Sequence, residues 1–120
     1  MRVLVIDDDP PSRQLAEYLL RNAGHTVVTA SSAPEGMSEA KTAAYDVVLS
    51  SVFMHDIDGC TLAKELKSDD DLRETRLVAV TALAMTGDKD RILAAGFDGY
   101  VSKPVDPSTF VADIELLSEV

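Results

Sequence analysis

The residues of this chain that could do chemistry stand at the ends of short apolar runs. Val3-Leu4-Val5-Ile6 stops at Asp7-Asp8-Asp9, and a second run, Val47-Val48-Leu49-Ser50, stops at Ser51. Leu77-Val78-Ala79-Val80 stops at Thr81-Ala82, and Gly99-Tyr100-Val101 stops at Ser102-Lys103. Adjacent carboxylates suit a hard, oxygen-seeking cation such as Mg²⁺. A lysine beside a threonine suits an anion, above all a phosphoryl group. Each piece alone has a plainer reading. Acid at a helix N-terminus complements the macrodipole, and an isolated lysine is ordinary surface. Their joint placement on one edge is what favours a site, so the elements that would put them there decide the question.

Those elements alternate. Apolar runs without polar interruption suit strands covered on both faces, as in a parallel sheet. Strands are expected at Val3–Ile6, Thr26–Ala30, Asp46–Ser50, Leu77–Val80 and Gly99–Val101. The first helix is predicted from Asp9 as N-cap with Pro10 and Pro11 in the first turn, Leu15, Leu19 and Ala23 at helical spacing, and Gly24 at its end. Further helices are expected at Ala33–Ala43, from Asp58 to Leu66, from Thr86 to Ala95 with Gly96 as terminator, and from Asp106-Pro107 through Leu117. Five βα units predict an α/β, doubly wound parallel sheet with helices on both faces, whose ligands bind beyond the carboxyl ends of the strands.

Composition narrows the class. The chain has 120 residues, 46% hydrophobic, which is one domain, 1–120, with a real core. Eleven basic against twenty-one acidic residues give a net charge of −10, which argues against direct binding to nucleic acid or to anionic membranes. No apolar run approaches the roughly 20 residues that span a bilayer, and the N-terminal run meets acid too soon for a signal peptide. Cys60 has no partner for an internal disulfide and no Cys or His at metal-site spacing, so it reads as filler in a cytoplasmic protein. Ser68-Asp69-Asp70-Asp71 reads as a solvated connection.

Five stretches, in this order and spacing, carry a resemblance: Val5-Ile6-Asp7-Asp8-Asp9-Pro10, Asp46 to Gly59, Val80-Thr81-Ala82, Ala94-Ala95-Gly96 and Gly99-Tyr100-Val101-Ser102-Lys103-Pro104. Over essentially its whole length the chain resembles the receiver domain of two-component response regulators. The resemblance implies the flavodoxin-like five-stranded sheet, order 2-1-3-4-5, and a cis Lys103-Pro104 bond. It implies that Asp7, Asp8 and the backbone carbonyl of Phe53 hold Mg²⁺, that Thr81 and Lys103 contact the phosphoryl oxygens, and that Tyr100 is an aromatic switch beside the small residue Ala82. It further implies a histidine kinase, phosphotransfer protein or output domain as partner, or a weak homodimer, through the face of helix four, strand five and helix five. There Asp88, Lys89, Asp90 and Arg91 alternate in charge, which suits either a polar contact or a solvated helix.

One position departs from the family pattern. Counting forward from Asp46 and back from Asp58-Gly59, the phosphoaccepting aspartate falls at Ser51. A serine hydroxyl is neutral at pH 7 and needs an adjacent base to act as nucleophile; His55 and His25 are not placed to serve, and no Gly-x-Ser-x-Gly elbow surrounds Ser51. Its Oγ is also one bond, roughly 1.5 Å, nearer the backbone than a carboxylate oxygen. Loss of that carboxylate removes a ligand and a unit of charge, so weakened Mg²⁺ binding is expected. Three readings stay open. The acceptor is absent by nature and the module works by protein contacts; an ordinary receiver carries an introduced serine; or Ser51 itself is modified. Under the first the chain is a signalling module and not an enzyme. His55, where the family usually has proline, reads as a tolerated loop residue, and Met54 and Met85 as packing residues.

Overall fold

Alternate residues of each central strand serve different cores. In a computed structural model, which describes residues 1–52, 59–82 and 86–118, β1 (Arg2–Ile6) turns Val3 and Val5 to one face and Leu4 and Ile6 to the other. The same division holds along β3 (Val47–Ser51) and β4 (Arg76–Thr81), where Val47, Leu49, Val78 and Val80 oppose Val48, Leu77 and Ala79. That is why these runs are apolar without interruption. With β2 (Thr26–Ala30) and β5 (Gly99–Ser102) at the edges, the five strands form one parallel sheet in the order β2-β1-β3-β4-β5.

Helices α1 (Pro10–Asn22) and α5 (Phe110–Ser118) cover the Val3/Val5 face; α2 (Ala33–Thr42), α3 (Gly59–Ser68) and α4 (Thr86–Ala94) cover the other. The buried stripe of α1 centres on Ala16 and Leu20, with Leu19 half-buried beside it, one position on from the Leu15/Leu19 spacing expected. Asp9 caps this helix as predicted, its carboxylate accepting from the Ser12 N–H at 3.2 Å. At the other end the chain turns at Gly24, φ +95°, which returns the His25 N–H to the Leu20 carbonyl at 3.1 Å. Gly96, φ +116°, ends α4 as expected.

Most boundaries shift by one or two residues from the sequence reading, and two of the shifts have a plain local cause. β3 begins at Val47 because Asp46 is occupied otherwise, its carboxylate accepting the Arg2 N–H at 2.7 Å. The regular helix α5 begins at Phe110, not at Asp106. Asp106 still organises the entry: its carboxylate accepts from the Ser108 N–H and hydroxyl at 2.9 and 2.6 Å, and its carbonyl from Thr109 and Phe110, so 107–109 form a turn ahead of the helix. The Lys103-Pro104 bond is cis. Among the described residues no helix is long and apolar enough to cross a membrane.

Candidate functional site

Strand register delivers the site. Ile6 pairs with Ser50, so Asp7 lies level with Ser51, the last residue of β3. Ser51 pairs with Val80, and Thr81 with Ser102, which places Lys103 one step beyond the sheet. The Lys103 N–H continues the ladder onto the Thr81 carbonyl at 2.8 Å. Asp7, Ser51 and Lys103 line one cavity of about 170 Å³, whose other wall is apolar, from Leu15, Ala16 and Val105. The topological switch between β1 and β3 falls here, where a doubly wound sheet opens a crevice.

Asp7 is 4% exposed, and both its carboxylate oxygens are engaged. Oδ1 accepts the Asp9 N–H at 2.9 Å, and Oδ2 accepts from Lys103 Nζ at 2.9 Å. A buried carboxylate needs such partners, since an unpaired charge away from water is costly. Ser51 and Thr81 are buried as well, and the Ser50 hydroxyl donates to the Ser51 carbonyl at 3.0 Å. Asp8 is half-buried beside Asp7. The carboxylate of Asp9, at the rim, is held below the ordinary range by its bond from the Ser12 hydroxyl, 2.6 Å.

Arg13 was not singled out in the sequence and belongs here. Its Nη1 donates to the Asp7 carbonyl at 2.9 Å. The signal was available: Arg13 stands four residues after the N-cap Asp9, one turn into α1, the position from which a long side chain reaches back over the preceding strand end. It brings a second cation to a neighbourhood holding Asp7, Asp8 and Lys103.

Tyr100 and Ala82, expected from the resemblance to act as a switch, sit apart from this cavity. Tyr100, half-buried on β5, packs against the α2–α3–α4 core, with Lys89 Nζ 5.7 Å from its ring centroid. Ala82 is exposed just past β4. Phe53, Met54, His55, Asp56, Asp58 and Met85 lie outside the described residues. The donors present are hard oxygens of the kind Mg²⁺ takes, but among the described residues no three acidic, His or Cys side chains gather as a metal-binding group. Asp7 and Asp8 would hold the ion, with water completing its shell; when bound, it supplies positive charge against phosphoryl oxygens.

Known proteins share this fold. The sequence profile of the response regulator receiver domain matches residues 3–115. The polar-differentiation response regulator DivK of Brucella anthropi is 30% identical over 113 residues, which are 94% of this chain and 92% of that protein. The chemotaxis response regulator CheY4 of Vibrio cholerae superposes with a TM-score of 0.92 at 28% identity, covering 97% of each chain. The receiver domain of the Francisella response regulator 1452 does so at 0.88 and 27%, covering 98% of this chain and 95% of its own. With the sheet order, the strand-end acids and lysine, and matches spanning nearly its whole length, the chain belongs to the response regulator receiver domain family of two-component signalling.

Proposed function

We propose that this chain is a receiver module that takes no phosphoryl group on an aspartate and transmits by protein contact. The observation that carries the reading is Ser51: the residue level with Asp7 at the end of β3 is a buried serine where a family acceptor would be a carboxylate. Asp7 and Asp8 (with the Phe53 carbonyl) form a cation site weakened by that missing charge, Thr81 and Lys103 an anion site, and Tyr100 with Ala82 the switch. A receiver without an acylphosphate is still biased between states by any partner that prefers one of them. The partner surface is the α4–β5–α5 face, a reading supported by Leu93 of α4 and Leu116 of α5, 41% and 67% exposed. The partner is a histidine kinase, a phosphotransfer protein, an output domain or, weakly, a second copy, met in the cytoplasm.

The site that surrounds Ser51 supports a second reading, an ordinary phosphoaccepting receiver from which a replacement at 51 has taken only the acceptor. Intact mass after incubation with acetyl phosphate and Mg²⁺ tests both. No gain by this chain is expected. A gain of one phosphate, absent from a Thr81→Ala/Lys103→Met variant, overturns the proposal. A gain by Ser51→Asp alone marks a site complete except for its acceptor.

A further inference from the structure

A second and larger cavity, about 440 Å³, opens at the opposite, amino edge of the sheet, between the ends of α2 and α3. That volume lies in the range that encloses small organic ligands. Its floor is apolar and buried: Val48 and Leu77 from the starts of β3 and β4, Leu66 from α3, and Tyr45. The Tyr45 hydroxyl is already used, donating to Glu39 Oε2 at 3.1 Å, so its ring contributes apolar surface.

The wall is preformed. Lys67 Nζ donates to the carbonyls of Arg73 and Thr75 at 3.2 and 2.9 Å and to Asp98 Oδ2 at 2.9 Å, and that same oxygen accepts the Leu77 N–H at 2.8 Å. An ammonium has three protons, and all three are spent on the protein. Lys67 is therefore a staple joining α3, the α3–β4 connection and Asp98. The other charges on the rim are Lys41, Asp69 and Asp71. Asp69 Oδ1 accepts the Asp71 N–H at 2.9 Å, which fixes this turn at the cavity mouth.

We propose that the cavity binds a small organic cation with an apolar body, the body on the Tyr45–Leu66–Leu77 floor and the ammonium toward Asp69 and Asp71. Two carboxylates, Asp69 and Asp71, share the rim with one lysine, Lys41, on a chain of net charge −10, so the local and the global field both favour a cation over an anion. The site is separate from the carboxyl-edge cavity, since the two share no lining residue.

The test is amide NMR of the whole chain, titrated with 2-phenylethylammonium and, separately, with phenylacetate, a similar body of opposite charge. Saturable shifts at Val48, Leu72 and Leu77 are expected with the cation and not with the anion. Asp71→Asn should weaken binding about three- to fivefold, the scale of one exposed ion pair. Leu72→Trp should fill the mouth and abolish binding, and as the only tryptophan it reports its own folding. Non-saturating shifts, an equal response to phenylacetate, or shifts centred on Asp7 and Lys103 overturn the proposal. If Leu72→Trp does not fold, the exposed Asp71→Asn decides, and unchanged affinity there overturns it.

Discussion

Lys103 Nζ sits 2.9 Å from Asp7 Oδ2, joining the end of β1 to the residue after β5, with side-chain exposures of 20% and 6%. The lysine is the countercharge of a carboxylate that the sheet has taken out of water. Lys103→Met should therefore cost about 2–4 kcal/mol, chiefly from the buried charge left behind. Urea denaturation checks this, and Asp7→Asn/Lys103→Met should recover part of the loss.

Ser51→Asp places a third carboxylate beside Asp7 and Asp8. In metal-free buffer it should lower stability by about 1–2 kcal/mol through like-charge repulsion in a buried setting. Millimolar Mg²⁺ should then restore stability in the variant and do much less for the parent, because ligand binding stabilises in proportion to ln(1 + [L]/Kd). Thermal melts with EDTA and with Mg²⁺ measure both effects. A variant as stable as the parent without metal would contradict the electrostatic account.

Gly36 lets α2 lie close on β1, one residue before the site. A Cβ there would stand 2.6 Å from Ile6 Cγ1. Gly36→Ala should cost about 1–3 kcal/mol by overpacking, and Ile6→Val should relieve some of it. Equilibrium unfolding of the two single variants and the double variant gives the coupling.

Acid should loosen the helix entries before the sheet. Asp9 and Asp106 are held below the ordinary carboxylate range by hydroxyl bonds from Ser12 and Ser108, and Glu35 by the Ser31 N–H and then its hydroxyl. A carboxyl whose folded pKa lies below its unfolded one stabilises the fold above the unfolded value. That contribution is lost as pH falls through the folded one. Stability should stay level from neutral pH to about 5 and fall below about 4. Ser12→Ala and Ser108→Ala should lower stability at pH 7 and flatten the acid limb, as melts at pH 3, 4, 5 and 7 would record.

Strand positions were legible because burial on both faces writes itself as unbroken apolar runs, as at Val3–Ile6. Caps were legible where a side chain has one local task, as at Asp9. The later start of α5 was not, because Asp106 opens a turn and a helix with the same carboxylate and carbonyl, and composition does not separate the two. The Lys67 staple was not legible because two of its three bonds go to backbone carbonyls, which carry no residue identity, whereas Arg13 was signalled only by its place one turn past the Asp9 cap. The position of Ser51 could be counted from both sides; its burial and its level with Asp7 needed the sheet. The amino-edge cavity left no trace in the sequence, since its lining is gathered from α2, β3, α3, β4 and their connections, far apart in the chain.

The pairing of Asp7 with Lys103 also has a consequence in time. The two are 96 residues apart in the chain. At about 5–20 residues per second of synthesis, the carboxylate waits on the order of 5–20 s for its ammonium. Until Lys103 follows β5 out of the ribosome, packing β1 to β4 would bury Asp7 without its lysine, so the growing chain is disfavoured from closing early over an incomplete site.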